Sequence, residues 1–201
     1  MNVDTFNRYY AQELCESIGC PNFRGWQYYR NNYLPFFDSS FLFLGCKRAH
    51  TSIVRYRQGA ITCYEKEQNC IGLSFEFTGC AMAQFSYADK TYILHISLHG
   101  PRHVYDMRNQ WNIFLDKIAT KSLGRKFHDF KLFKPFDQTA LVLLRNHGLN
   151  YDCCGIIDIN GDCYSALVSK PDCSIFKMWR RNDAKIVNGN LTATNLNTLK
   201  L

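Results

Sequence analysis

Apolar and polar positions change places over short runs for most of this chain, and only two stretches carry the three-to-four-residue spacing of a helix. The first runs through Phe6, Tyr9, Tyr10, Leu14 and Ile18, with Asp4-Thr5 able to cap its start and Gly19 and Pro21 to stop it. The second follows Gly100-Pro101 and sets Val104, Met107, Trp111, Phe114, Leu115 and Ile118 on one stripe, with Gly124 as its end. Such a stripe is a core-facing surface that packs across a sheet. Strands are predicted over residues 41–46, 52–57, 60–64, 127–133, 140–145, 154–159 and 163–169, the last two joined by the hairpin signal Asn160-Gly161. From Asn182 the chain turns Asn- and Thr-rich with weak periodicity. The expected architecture is therefore α+β: a single domain over residues 1–181 with β-sandwich-like mixed sheets flanked by helices, then a polar tail or loosely docked segment over 182–201.

The segment from Cys70 to Gly100 holds the most specific pattern. Aromatic and small residues run to Ser86, Ala88-Asp89-Lys90 breaks them, and Tyr92-Ile93-Leu94-His95-Ile96 follows, which predicts a hairpin. A turn centred on Ala88-Asp89 sets Cys80 opposite Ser97 and diagonal to His95; a turn at Tyr87-Ala88 makes Cys80 and His95 direct partners. Either register puts thiol and imidazole on one face, about 5 to 8 Å apart at Cβ.

Those residue types together suit attack on a carbonyl. A thiol is mostly protonated at neutral pH, and a neighbouring imidazole can take its proton or stabilise the thiolate. Gly79, lacking a Cβ, lets substrate and backbone approach closely, where backbone N–H groups can hold an oxyanion. Ser74 stands six residues before Cys80, on the same side if the strand is continuous. An acid such as Asp158 could orient His95 in its place. Asp158 and Asp162, flanking Asn160-Gly161, read first as turn residues.

With Ser74, Gly79-Cys80 and His95 in place, the segment resembles the catalytic core of the cytotoxic necrotizing factor toxin domain, the Burkholderia lethal factor and the chemoreceptor deamidase CheD. Phe77-Thr78-Gly79-Cys80 stands where the toxins carry Leu-Ser-Gly-Cys, with Phe77 and Thr78 replacing Leu-Ser, and Ser74 replaces a threonine found in the lethal factor and CheD. The likeness covers roughly residues 70–120. It implies a protein-glutamine deamidase in which Cys80 forms a thioester with the side-chain carbonyl, His95 shuttles the proton, and Ser74 holds the imidazole in its useful tautomer. No cofactor or metal enters that chemistry. The resemblance further implies a bacterial toxin or effector acting on a host protein such as a small GTPase or a translation factor. A cysteine protease or transglutaminase is the close chemical alternative, and a non-catalytic protein-binding module the alternative of another class.

Composition narrows the setting. With 201 residues, 46% hydrophobic, the chain can bury one substantial core. No apolar run is long enough to span a bilayer, and Met1-Asn2-Val3-Asp4-Thr5 lacks the regions of a signal peptide, so no membrane partner is expected. The expected state is a monomer. It either works in a cytoplasm or reaches a target-cell cytosol without a cleaved signal. The ten cysteines include no C-x-x-C pair, which points to free thiols rather than a disulfide framework. Of the vicinal pair Cys153-Cys154, one is expected buried and one exposed. His95, His99 and His103 recur at four-residue intervals, but the first two sit in a β context without a completing carboxylate, so no metal site is assigned. The charge of +7 is spread over Lys47-Arg48, Arg55, Arg57, Lys121, Arg125-Lys126, Lys131, Lys134 and Arg180-Arg181. Without a dense run it reads as solvated surface able to steer an acidic protein, not as a nucleic-acid site.

Overall fold

The 88–89 turn decides how the strands pair. In the computed structural model Tyr87 faces Lys90, Met82 faces His95 and Ala81 faces Ile96, so the hairpin of β5 (Ala81–Tyr87) and β6 (Lys90–Ile96) takes the first of the two expected registers. The structure describes residues 26–29, 51–54, 56, 58–98, 106–120, 126–147, 150–169 and 175–201. The first predicted helix, the strand over 41–46, and His99 and His103 lie outside them.

Around the hairpin the described strands are β1 (Trp26–Tyr29), β2 (Thr51–Val54), β3 (Ile61–Lys66), β4 (Ile71–Ser74), β7 (Phe127–Phe133), β8 (Tyr151–Ile157), β9 (Cys163–Ser169), β10 (Ile175–Arg180) and β11 (Lys185–Asn190). They form a six-stranded sheet, β1-β3-β6-β5-β7-β11, and a five-stranded sheet, β10-β9-β8-β4-β2. Both are mixed: β1 runs parallel to β3 and β2 to β4, while the other pairs are antiparallel. Two mixed sheets with helices on them are the α+β architecture read from the sequence.

Alternation along β5 and β6 builds two of the cores. Ala81, Ala83, Phe85, Leu94 and Ile96 face helix α1 (Met107–Thr120), which lays Met107, Trp111, Phe114, Leu115 and Ile118 on them. The intervening Cys80, Met82 and Ile93 face the other way, with Tyr64, Phe133, Cys153, Cys163 and Leu167. That second cluster draws from both sheets and is the sandwich interior. A third cluster, Ile53, Ile71, Leu73, Cys154, Ile156, Ala166 and Val168, lies on the opposite face of the five-stranded sheet.

Two expectations are corrected. Residues 140–145 are not a strand but part of helix α2 (Gln138–His147). An unbroken apolar run carries no decisive period; the deciding signal is Asp137, whose Oδ1 accepts the Ala140 N–H at 2.9 Å as a helix N-cap. Nor is 182–201 a polar tail. It forms β11 and a 3₁₀ turn over Leu196–Leu199, and buries Val187, Leu191, Leu196 and Leu199 against α1. The Trp111 indole N–H donates to the Leu199 carbonyl at 2.9 Å, and Asn112 pairs with the backbone of Leu201 in both directions. A buried leucine contributes about 2 kcal/mol, so three of them hold this segment despite its polar composition.

Arg181 is likewise not solvated. Its side chain is 4% exposed and donates to the Pro135 carbonyl at 2.9 Å and to Ser165 Oγ at 3.1 Å, while it pairs with Asp137 and, through two contacts, with Asp183. One guanidinium thereby ties the segment entering α2 to β9 and to the β10–β11 turn.

Candidate functional site

Ser74 and Cys80 sit on different sheets. β4 ends at Ser74 in the five-stranded sheet, and the loop over 75–80 crosses to the six-stranded sheet, where Cys80 immediately precedes β5. The strand is therefore not continuous between them, and the even spacing expected to align the two does not. The crossing brings Ser74 to His95 by another route: both side chains point into the sandwich from facing sheets. Cys80 lies one step beyond the Ala81–Ile96 pair, diagonal to His95 and on its face.

The hydrogen bonds around Ser74 settle the tautomer of His95. Ser74 Oγ is 2.7 Å from the Val54 carbonyl and 2.8 Å from His95 Nδ1. A hydroxyl has one proton, and the carbonyl can only accept, so Ser74 donates to Val54 and accepts from His95. The proton of the neutral imidazole then sits on Nδ1, and Nε2 keeps its lone pair. Among the described residues Nε2 has no hydrogen-bond partner. A base held on one edge and open on the other is what proton abstraction from a thiol needs.

The ring is also fixed by its faces. Phe77 stacks on it with centroids 4.2 Å apart and planes 5° from parallel, and Tyr56 lies 5.1 Å away at a 52° tilt. Phe77 is held by its own N–H, which donates to the Cys153 carbonyl at 3.1 Å. The loop that carries it has unusual backbone: Glu76 takes φ +62° and Gly79 φ +157°. The first costs a residue with a Cβ roughly 1 kcal/mol, and persists because burial of Phe77 over-determines it.

Burial governs the electrostatics. Ser74, Cys80 and His95 are all 1% exposed or less. Desolvation pushes the His95 imidazole down to about 3, so it is neutral throughout the physiological range. Burial likewise pushes the Cys153 and Cys163 thiols up to about 12, which leaves them protonated and unreactive.

The remaining candidates fall elsewhere. Asp158 is buried in the β8–β9 turn, where its Oδ1 accepts the Asp162 N–H at 2.7 Å; the Nδ1 of His95 belongs to Ser74, so the acid alternative is not realised. Cys153 and Cys154 are both buried rather than one of them exposed, because β8 carries a core on each face. The six described cysteines form no disulfide with one another. Among the described residues no three His, Cys, Asp or Glu side chains gather as a metal site, and no helix is long and apolar enough to cross a membrane.

Sequence reasoning missed Val54, Tyr56, Phe77 and Gly155. Gly155 pairs with Ser74 on one side and Ser165 on the other, and a Cβ there would lie 2.6 Å from Pro135 Cγ, 2.7 Å from Met82 Sδ and 3.2 Å from Phe77 Cε2. The one available signal was Phe77, three residues before the cysteine. No family model and no curated protein matches the chain.

Proposed function

We propose that this chain is a protein-glutamine deamidase with Cys80 as nucleophile, His95 as general base and acid, and Ser74 as the residue that orients His95. What carries the reading is the Ser74–His95 contact at 2.8 Å, with the hydroxyl proton committed to Val54 and the buried Nε2 without a hydrogen-bond partner among the described residues, on a strand whose register sets Cys80 diagonal to His95. That polarity is what an orienting group in a catalytic triad supplies. The resemblance of Ser74, Gly79-Cys80 and His95 to the necrotizing factor and CheD group adds the reaction class.

In this scheme Nε2 takes the Cys80 proton as the sulfur attacks the glutamine carbonyl carbon, forming the S–C bond and an oxyanion that backbone N–H groups near Gly79 and Cys80 would hold. Nε2–H then protonates the leaving nitrogen, the C–N bond breaks, and ammonia departs from a thioester. Water, deprotonated by Nε2, attacks the thioester, and the C–S bond breaks to give glutamate and the restored thiol. The burial of Cys80 favours a slender, uncharged side-chain amide over a peptide bond, which is flanked on both sides by chain. By the same resemblance the protein would act as an effector in the cytosol of a target cell.

The test incubates the protein with candidate small GTPases and translation factors and reads intact mass. A gain of about one dalton at a single glutamine, lost in Cys80→Ser, is the expected result. Chain fragments would make it a protease, and incorporation of a primary amine a transglutaminase. If no target changes and all cysteines alkylate alike, Cys80 and His95 are core residues of a binding module.

A further inference from the structure

A single hydrogen bond at Nδ1 leaves an imidazole free to rock about that edge, and rocking moves Nε2 by an ångström or more. The ring face must therefore be fixed by something else. Phe77 lies on it nearly parallel, at 5° and 4.2 Å, whereas Tyr56 is tilted by 52°. Phe77 is itself confined. Its backbone is tied to Cys153, and against the Cε2 edge of its ring stands Gly155, in a space so closed that even a methyl group would meet three side chains. That brace is itself anchored, since Ser165, the neighbour of Gly155 across the ladder, donates to the Pro135 carbonyl at 2.7 Å, which also receives Arg181.

We infer that Phe77, backed by Gly155, is a positioning residue that sets the plane of the His95 imidazole and so aims Nε2 at Cys80. The inference rests on the proposed thiol chemistry for its catalytic meaning, but the ring orientation is a physical property that stands apart from it. Phe77 and Cys80 belong to one loop of six residues, 75–80, so the same short segment that places the sulfur also places the base. Relative placement of the two then depends little on how the sheets shift against each other.

Two substitutions test this from opposite sides. Phe77→Leu keeps an apolar side chain and removes the flat face; Gly155→Ala keeps the face and crowds the ring at its Cε2 edge. The readouts are the ¹⁵N signals of the His95 ring and, with a substrate identified by mass, kcat and KM taken separately. In both variants the His95 ring signals should broaden or split while the Ser74-bonded Nδ1–H tautomer persists. kcat should fall about 10- to 100-fold with KM changed by less than about threefold, as expected of a misplaced base rather than a lost binding contact. Wild-type ring signals and wild-type kcat in a folded Phe77→Leu would overturn the inference. If Phe77→Leu does not fold, Gly155→Ala decides on the same readouts. A wild-type protein that deamidates nothing, with ring signals that still change in the variants, would sink the deamidase reading and leave the positioning role standing.

Discussion

Acid should destabilise this protein through His95, and the size of the effect follows from its burial. In the unfolded chain the imidazole titrates at 6.5; in the folded chain desolvation holds it down to about 3. The sign is that of any group whose folded pKa is depressed: the folded state resists the proton, the unfolded state takes it, and stability present above pH 6.5 is lost progressively as pH falls toward 3. At pH 5 the unfolded imidazole is almost wholly charged and the folded one almost wholly neutral, so moving from pH 7 to pH 5 costs about 2 kcal/mol from this residue alone. Other groups titrate in the same window, so the measurement is a difference. Urea unfolding of wild type and of His95→Asn is followed at both pH values. The asparagine amide can donate to Ser74 as Nδ1–H does but does not titrate. The wild type should lose about 2 kcal/mol more than the variant. Equal losses would mean that His95 is hydrated or charged in the folded state, and would refute the neutral-imidazole argument.

Ser74→Ala strands two groups in a fully buried place, the Val54 carbonyl and the Nδ1–H of His95, and should cost roughly 2 to 4 kcal/mol by urea unfolding, whereas Ser74→Thr keeps the hydroxyl and should lose far less. Iodoacetamide, which is small and carries a carboxamide, should alkylate Cys80 ahead of Cys153 and Cys163, whose thiols burial holds at about 12. Peptide mapping of His95→Asn should show that preference gone. His128 should act on stability in the sense opposite to His95. Its two ring nitrogens face Asp129 at 2.7 Å and the Ala88 carbonyl at 3.2 Å, so only the charged ring donates to both, and chiefly the Asp129 bond raises its pKa. The stability it contributes is complete below pH 6.5 and fades as pH rises through the folded value. Thermal unfolding of wild type against Asp129→Asn should therefore converge at alkaline pH, and curves that stay parallel would argue against a charged His128 held by Asp129.

The elements legible in the sequence were those with a period or a turn signal of their own. The α1 stripe from Met107 to Ile118 and the Asn160-Gly161 hairpin are examples, the glycine taking φ +82°. So was the hairpin that pairs Cys80 diagonally with His95. What was illegible depended on the second sheet. Ser74 does meet His95, but not by sharing a strand with Cys80: the 75–80 loop changes sheets, and a period-2 count cannot see a crossing. Helix α2 was hidden in an unbroken apolar run, where a cap residue outweighs the pattern. The final segment looked like a tail because composition averages over Leu191, Leu196 and Leu199, three residues whose burial decides where it goes. Gly155 left no trace at all, since the need for a glycine comes from Pro135, Met82 and Phe77, which are brought there by other elements.

Burial of the pair also bears on how its chemistry would begin. An exposed cysteine–histidine pair can rest as thiolate and imidazolium, each charge solvated and each supporting the other. Here a resting imidazolium would have to sit at 1% exposure with Nδ1 on a neutral hydroxyl and an aromatic face against it, and desolvation opposes that. The low basicity of His95 describes the ring without an anion beside it. Once sulfur begins to surrender its proton, the nascent thiolate supplies that anion, and the attraction between the two charges is strong in a medium that screens little. Proton transfer is then favourable only as attack proceeds. On the deamidase reading the acid limb of the rate would follow protonation of free His95, far below 6.5, and alkylation of Cys80 would stay level from pH 7 to pH 5. A rate that fell through pH 6.5 over that range would mean an ordinary, hydrated imidazole acting as the base, which the enclosed ring between Phe77 and Ser74 argues against.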